Sequence, residues 1–391
     1  MKILLINHFP LTGSGSGVYT QNIANSLLKK GHELCIVIPE NKEIENIDEN
    51  IKIFPVYFQT ELLPFNFPCF TTHPRSQKKF SELNKEEIKL YIESFNKVIK
   101  EAIDTFKPDI IHIGHIWILP YLVSKYNIPF VITAHGTDLI GYQEIPYFRK
   151  YCDIAVNKTN NIICVSKENE ILLNTIFPNQ KNKITFIPNG YNIDWFYPKN
   201  INKNKFLKQF NINNHYDKIV CFVGKFTKIK GIDILLKAAK IYEKENILTI
   251  LAGDGELMEE MKQLSNSLQL KNIFFIKNQP HQILNELYNI ADVSIVCSRS
   301  EAFGLVAIEA LACGTPVIAS NIGGLTDIVN EKVGFLFESE NEIDLANKIN
   351  LILNKKVIFD KTIISKYAKE NFSQDQYIEQ LINIYNKCLK K

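Results

Sequence analysis

Two carboxylates, Glu301 and Glu309, stand eight positions apart, with Phe303-Gly304-Leu305 between them. The run Val293 to Cys297 leads in as a strand, and an apolar helix begins at Leu305. Glu301 is therefore expected in the loop at a strand's carboxyl end. Glu309 is expected more than a turn into the helix, among Val306, Ala307, Ile308, Ala310 and Leu311. A carboxylate with such neighbours needs a partner or a ligand hydroxyl. Phe303, Gly304 and Leu305 offer backbone amides at a helix amino terminus, which suits an anion. Hydroxyl-binding carboxylates flanking an anion-binding turn point to a sugar phosphate.

Four other constellations carry chemistry. Gly13-Ser-Gly15-Ser16-Gly17 joins the strand Lys2 to Asn7 to a helix read over Val18 to Lys30, and small residues there let a phosphate approach backbone amides. A dinucleotide fingerprint competes, with Glu40 at a plausible distance. It fails because the third glycine of G-x-G-x-x-G would fall on Val18 or Thr20. Gly224-Lys225-Phe-Thr-Lys-Ile-Lys230-Gly231 follows a second strand, and Lys225 and Lys230 can converge on a diphosphate as point charges. Thr133-Ala-His135-Gly-Thr-Asp138 follows a third strand. It puts His135 where ligand crevices form, able to bond a sugar hydroxyl or donate toward developing charge. Gly323-Gly324 ahead of Asp327 makes a further strand-to-helix turn with exposed amides. His112 and His115 flank a buried-looking strand end and read as structural, and no His, Cys or carboxylate cluster has zinc spacing.

These residues need a scaffold that brings strand ends together. Short apolar runs alternate with helical stripes through the first half: Ile3 to Ile6, Leu34 to Ile38, Asp109 to Ile113, Phe130 to Thr133 and Asn161 to Val165 as strands, with a long amphipathic helix over Lys85 to Thr105. The rhythm restarts at Lys218 and runs to Val329. This is the pattern of parallel, doubly wound α/β sheets, twice. The expected domains are 1–187 and 188–373, with the final helix, 374–391, joining the first.

Composition narrows the function classes. The chain has 391 residues, 22% charged, and a net charge of +3, too small to argue for nucleic acid. The first 190 residues hold 20 Lys plus Arg against 19 Asp plus Glu, not a strongly basic membrane-docking face. No apolar run approaches the ~20 residues of a bilayer span, and the chain opens on a strand without a signal-peptide pattern. The eight cysteines are scattered, with no CxxC pair, and read as buried thiols in a reducing cytoplasm.

Together these motifs resemble the retaining glycosyltransferases of family 4, which have the GT-B fold: two Rossmann-like domains facing across a cleft. The resemblance is carried by Gly15 to Gly17, Gly31-His32-Glu33, Pro188-Asn189-Gly190, Lys225, Lys230-Gly231, Gly253-Asp254-Gly255, the Glu301 to Glu309 block with its Gly314-Thr315-Pro316-Val317 tail, and Gly323-Gly324. It implies that Glu301 contacts donor-sugar hydroxyls and Glu309 the nucleotide ribose. It implies that Phe303, Gly304 and Leu305 cradle sugar and phosphate, and that Lys225 and Lys230 hold the diphosphate. His135 would touch the sugar near the reacting carbon, and Gly15, Ser16 and Gly17 would close over donor and acceptor. His135, Lys225, Lys230 and Glu301 are the expected catalytic set, and catalysis would need no metal or other cofactor. Anomeric configuration would be retained, with the leaving phosphate helping to deprotonate the acceptor. The chain departs from the family pattern at Lys225, where arginine is usual, at Asp327, where glutamate is usual, and at Ala302, where glycine is commoner.

The expected partners are a nucleotide-diphospho sugar, with UDP the expected nucleotide, and an acceptor. A glycan or glycolipid intermediate is the first acceptor reading and a small molecule such as an aminocyclitol the alternative. Lys277, Asn278 and Gln279 are the expected base-pocket residues. Asp138, His73 and Arg75 are the expected acceptor contacts, the last two in the aromatic loop Leu63 to Ser76. A cytoplasmic protein with peripheral contact at the inner membrane face is the expected location. Rival readings are a sugar-nucleotide epimerase, a phosphorylase, a nucleotide-sugar-binding module, and a glycoside hydrolase using paired carboxylates. The hydrolase fits poorly, because both glutamates belong to one domain and only Asp138 offers itself as an opposing carboxylate.

Overall fold

The computed structural model describes residues 1–44, 47–70 and 73–390. The chain divides into two units, Met1–Pro188 with Tyr377–Lys391, and Asn189–Gln376.

The first unit is built on a seven-stranded parallel sheet. Its strands are β1 (Lys2–Ile6), β2 (Glu33–Glu40), β3 (Ile51–Tyr57), β4 (Ile110–Gly114), β5 (Phe130–Ala134), β6 (Asn161–Cys164) and β7 (Ile184–Phe186). Their order is β3-β2-β1-β4-β5-β6-β7. Both faces are covered, so the strands carry apolar residues on both sides. Leu4, Ile6, Cys35, Val37, Ile111 and Ile113 face the helix Lys85–Phe106. That helix buries Ile88, Tyr91, Phe95, Ile99, Ala102 and Ile103, and its start is a capping box between Asn84 and Glu87. Ile3, Leu5, Leu34, Ile36 and Ile38 face the other way. There the helix Gly15–Lys29 and the last helix, Gln374–Leu389, supply Tyr19, Ile23, Leu27, Tyr377, Leu381 and Tyr385.

The second unit has six parallel strands: β8 (Lys218–Val223), β9 (Ile247–Ala252), β10 (Ile273–Ile276), β11 (Val293–Val296), β12 (Val317–Ser320) and β13 (Gly334–Phe337), ordered β10-β9-β8-β11-β12-β13. Strand order reverses between β1 and β4 in one sheet and between β8 and β11 in the other. At such a reversal the adjoining loops diverge to opposite faces and leave a crevice at the carboxyl ends of the strands.

One local expectation changes. The first helix starts at Gly15, three residues before Val18, because Ser14 in extended conformation caps it and its side chain accepts from the Gly17 amide. Gly15, Ser16 and Gly17 are thus the first helical turn, not loop. The segment Leu63 to Ser76 is packed: among its described residues Leu63, Phe67, Cys69, His73 and Ser76 are buried, and Phe67 lies edge-on to Phe58. Among the described residues no helix is long and apolar enough to cross a bilayer.

Candidate active site

The loops that follow β8 and β11 flank the strand-order reversal of the second unit, and they carry Lys225, Lys230, Glu301, Phe303, Gly304 and Leu305. Lys230 Nζ lies 2.6 Å from Glu301 Oε2, and Ser298 Oγ donates to the same oxygen at 3.2 Å. Glu301 Oε1 has no hydrogen-bond partner among the described residues. Both side chains of the pair are mostly but not fully buried, so its own contribution to stability is ~1 kcal/mol or less. Its effect is orientation. Lys225 is exposed, with no ion pair among the described residues.

Backbone contacts too tight for any side chain hold these loops. Gly231 has φ +64°, and a Cβ there would stand 2.0 Å from the Cys297 carbonyl oxygen. It presses the β8 loop onto the end of β11. A Cβ on Gly324 would meet Phe303 Cα at 2.5 Å, and the Gly324 amide donates to the Glu301 carbonyl at 3.0 Å. Gly324 therefore supports the Glu301 loop and does not offer its amide to a ligand, whereas the Gly323 amide has no partner among the described residues. Arg299 completes the frame. It grips Asp233 with two bonds of 2.8 Å, Glu340 with bonds of 2.5 and 3.0 Å, and the Lys228 carbonyl at 2.7 Å.

The helix Leu305–Ala312 begins at Gly304, φ +111°, without a side-chain cap. The Leu305 and Val306 amides have no partner among the described residues and sit at the positive end of the helix. Phe303 is buried, its ring edge-on to Phe372 at 6.2 Å. It anchors the loop, and only its backbone is available to a ligand. Glu309, one turn further, is half-buried. Burial pushes its carboxyl up to about 8, against the pull of the Tyr288 hydroxyl, which donates across a long 3.5 Å. Tyr288 is itself fully buried, held by Thr315 Oγ1 donating to its carbonyl at 2.5 Å. Sequence reading did not single out Tyr288, Ser298 or Arg299. Arg299 stands two residues from Glu301, the one signal available.

Lys277, Asn278 and Gln279 follow β10, the edge strand, so β9 separates them from the β8 loop. Two strand spacings put them ~10 Å from β8. Lys277 and Asn278 are exposed, and Gln279 donates to the Lys277 carbonyl.

In the first unit His135 follows β5, the second strand beyond the reversal. Its ring lies edge-on to Tyr19 at 4.9 Å and against His115 at 4.7 Å, and its Nε2 is buried without a hydrogen bond. Burial first, then the neighbouring His115, drive its pKa well below the ordinary value, so the ring is neutral near pH 7. His8, His112 and His115 are buried beside it. His112 is pinned between Tyr385 and Thr133 hydroxyls at 2.6 and 2.7 Å, and burial lowers it to about 3.

The three expected acceptor contacts are committed internally. Asp138 is fully buried and accepts from the amides of Ile116, His135 and Gly136 at 2.8, 3.1 and 2.9 Å. Burial favours its protonated form, but the facing imidazoles and the Ile116 amide outweigh it and hold the group ionised. It shapes the His135 loop and cannot reach an acceptor. His73 is buried, with Nε2 on the Thr12 carbonyl and Nδ1 accepting the Arg75 amide, both at 3.1 Å. Arg75 pairs with Glu40 at 2.5 and 3.3 Å. Glu40 is thereby accounted for without a dinucleotide. Gly17 packs against Pro10, where a Cβ would fall 2.0 Å from the carbonyl oxygen, whereas nothing lies within 4 Å of Gly15. The Gly15 and Ser16 amides have no partner among the described residues. No group of three or more His, Cys, Asp or Glu among those residues is arranged to hold a metal ion.

Two parallel α/β units, with glutamates, lysines and bare helix amides gathered at the strand reversal of the second, define a GT-B glycosyltransferase. The chain belongs to the family-4 glycosyltransferases: the model described as Glycosyltransferase Family 4 matches residues 13–195, and that described as Glycosyl transferases group 1 matches residues 203–371. It is 26% identical to an uncharacterized glycosyltransferase of Methanocaldococcus jannaschii, covering 98% of each chain. It is 23% identical to the N-acetyl-alpha-D-glucosaminyl L-malate synthase of Bacillus anthracis, over 100% of this chain and 98% of the relative. Among solved structures, Anabaena HepE in complex with UDP shares the fold, with a TM-score of 0.73, 19% identity and coverage of 99% of this chain and 100% of that one.

Proposed function

We propose that the protein transfers a hexose or N-acetylhexosamine from a UDP-sugar to an acceptor hydroxyl, with retention at the anomeric carbon and without a metal. The observation that carries the reading is Glu301. Lys230 and Ser298 occupy one carboxylate oxygen, the other is open, and the unpartnered Leu305 and Val306 amides begin the next helix. Glu301 orients the sugar, Glu309 takes the ribose hydroxyls, and Lys225, Lys230 and the helix amides take the diphosphate. Lys277 to Gln279 border the base. As the anomeric C–O bond to phosphate breaks, negative charge grows on the diphosphate, where fixed positive groups stabilise it best. The acceptor oxygen bonds the same face of that carbon, and its proton passes to the departing phosphate oxygen. Neither glutamate is a nucleophile in this scheme: Glu301 is held by a lysine, and Glu309 is largely protonated near neutral pH. His135 enters as a neutral hydrogen-bonding group acting on transfer. The UDP choice rests on the UDP complex of the Anabaena neighbour.

For the acceptor, a small hydroxyl-bearing molecule is favoured, since a relative matching the whole chain is named for L-malate. A glycan or glycolipid is the second reading. The test is product analysis by NMR with UDP-sugars and hydroxy-acid, polyol and glycan acceptors, with and without EDTA. The α-anomer from an α-linked donor, formed equally with EDTA, is expected. An inverted product overturns retention, and loss of activity with EDTA overturns metal independence. Conversion of the UDP-sugar without acceptor replaces transfer by epimerisation.

A further inference from the structure

The second unit holds a cavity of about 810 Å³ that belongs to none of the loops above. It is lined by Lys218, which opens β8, by Asp292, immediately before β11, and by Pro316, immediately before β12. It therefore opens at the amino ends of the strands whose carboxyl ends carry Lys225 and Glu301. A six-residue strand separates the two edges by ~20 Å.

Its lining is cationic and apolar together. Five lysines, Lys199, Lys203, Lys218, Lys355 and Lys361, face one carboxylate, Asp292. Lys218 is neutralised by Asp292 at 2.8 Å, and Lys199 lies 3.6 Å from Glu286. Lys203 donates to the Asp217 carbonyl at 2.9 Å and Lys361 to the Asn289 carbonyl at 3.1 Å. Carbonyls orient these two ammonium groups; the Asp217 carboxylate also lies within reach of Lys203 and offsets part of its charge, whereas Lys361 has no ion pair among the described residues. Each ammonium has three donors and keeps two. Lys355 has no acceptor among the described residues, and it occupies a left-handed conformation, φ +56°, where glycine or asparagine costs less. Ile201, Ile290, Ile352, Val357 and Phe359 supply the apolar wall, and Ile358 stands at the cavity 79% exposed. Surplus N–H donors around a concave apolar wall call for an anion attached to something greasy. Lysine, as a compact charge with several donors, suits phosphate.

We propose that this cavity is a second binding site, for a phosphate-bearing ligand with an adjoining apolar group. It is separate from the donor site, and the argument for it does not depend on the donor chosen. Two sources present that chemistry, a soluble phosphorylated metabolite and the headgroup of an anionic phospholipid. The full chain, saturated with UDP, is titrated with inorganic phosphate and glycerol 3-phosphate and followed by phosphorus NMR linewidth. In parallel it is floated with phosphatidylglycerol/phosphatidylcholine vesicles and with phosphatidylcholine vesicles alone. Binding is expected in at least one arm, weakened at least tenfold in Lys355→Glu/Lys361→Glu, with a cooperative melt retained and UDP affinity unchanged. Lys240→Glu/Lys262→Glu, the same charge change outside the cavity, is expected to bind as the wild type does. Soluble-arm binding assigns a metabolite, and vesicle binding dependent on phosphatidylglycerol assigns a lipid. No binding in either arm, equal binding by Lys355→Glu/Lys361→Glu, or equal loss in the control variant overturns the proposal.

Discussion

Glu301 and Glu309 look alike in the sequence and differ in the folded chain. One is ion-paired with one oxygen open, and the other is pressed toward neutrality. The first difference predicts a dissociation of activity from stability. Glu301→Gln keeps the shape and loses the charge that holds Lys230, so kcat/KM for transfer is expected to fall ~100-fold, about 2.7 kcal/mol of transition-state stabilisation. The unfolding free energy from denaturant titration should fall by no more than ~1 kcal/mol. Equal losses of activity and stability would mean the pair is only structural. The second difference predicts a pH dependence. The unfolded Glu309 ionises near 4.5 and the folded one near about 8. Between those values the folded state holds more protons, so stability falls as pH rises through the window and the penalty is complete above it. Glu309→Gln should match wild type near pH 4.5 and exceed it near pH 8 by an amount of order a few kcal/mol. Urea midpoints across pH check this, and parallel curves for the two proteins would contradict it. The types and spacing of these residues were legible in the sequence. The Lys230–Glu301 pair was not, because it joins residues 71 apart whose approach depends on the close packing of Gly231 and Gly324.

At the scale of elements, long apolar strands were readable because parallel strands covered on both faces leave continuous runs, and the helix Lys85–Phe106 because its stripe is strongly one-sided. The start of the first helix was misread because Gly-Ser-Gly has poor helix propensity and tertiary packing overrode it. The helices Ile118–Val123, Thr137–Glu144 and Glu342–Leu353 were not singled out, being short or lacking a clear stop signal. The glycines of the first helix give a matched pair of substitutions. Gly17→Ala drives a Cβ into the Pro10 carbonyl and should cost ~1–3 kcal/mol. Gly15→Ala meets open space and should stabilise the helix by ~0.5–1 kcal/mol. If the open amides of this turn serve a ligand, Gly15→Ala lowers transfer despite its greater stability. Thermal melts with a transfer assay separate the two, and equal destabilisation by both would refute the packing argument.

At the scale of the molecule, the chain's end is part of the first unit's core. Tyr377, Ile378, Leu381, Ile384, Tyr385 and Cys388 are buried in the cluster formed by β1, β2 and the first helix. At ~1.5–3 kcal/mol per buried side chain, their loss is ~10 kcal/mol, as large as the stability of a whole domain. Ending the chain at Ser373 should therefore leave a protein without a cooperative melt, and a normal melt would show that the helix is dispensable. The basic cavity of the second unit was invisible in the sequence because its lysines fall in two groups, Lys199 to Lys218 and Lys355 to Lys361, more than a hundred residues apart, that meet only at the strands' amino ends. The donor loops were legible because each is a short contiguous motif.

The central claim is that the carboxyl edge of the second sheet binds a nucleoside-diphosphate sugar. The direct measurement is a thermal-shift panel of UDP, GDP and ADP with their sugars against wild type and Glu309→Gln. Ligand at a hundred times its dissociation constant adds about 2.7 kcal/mol of stability. The account predicts a clear rise in wild-type melting temperature with UDP and its sugars, and a much smaller one in Glu309→Gln. A flat response of the wild type to all three nucleotides and their sugars would contradict it.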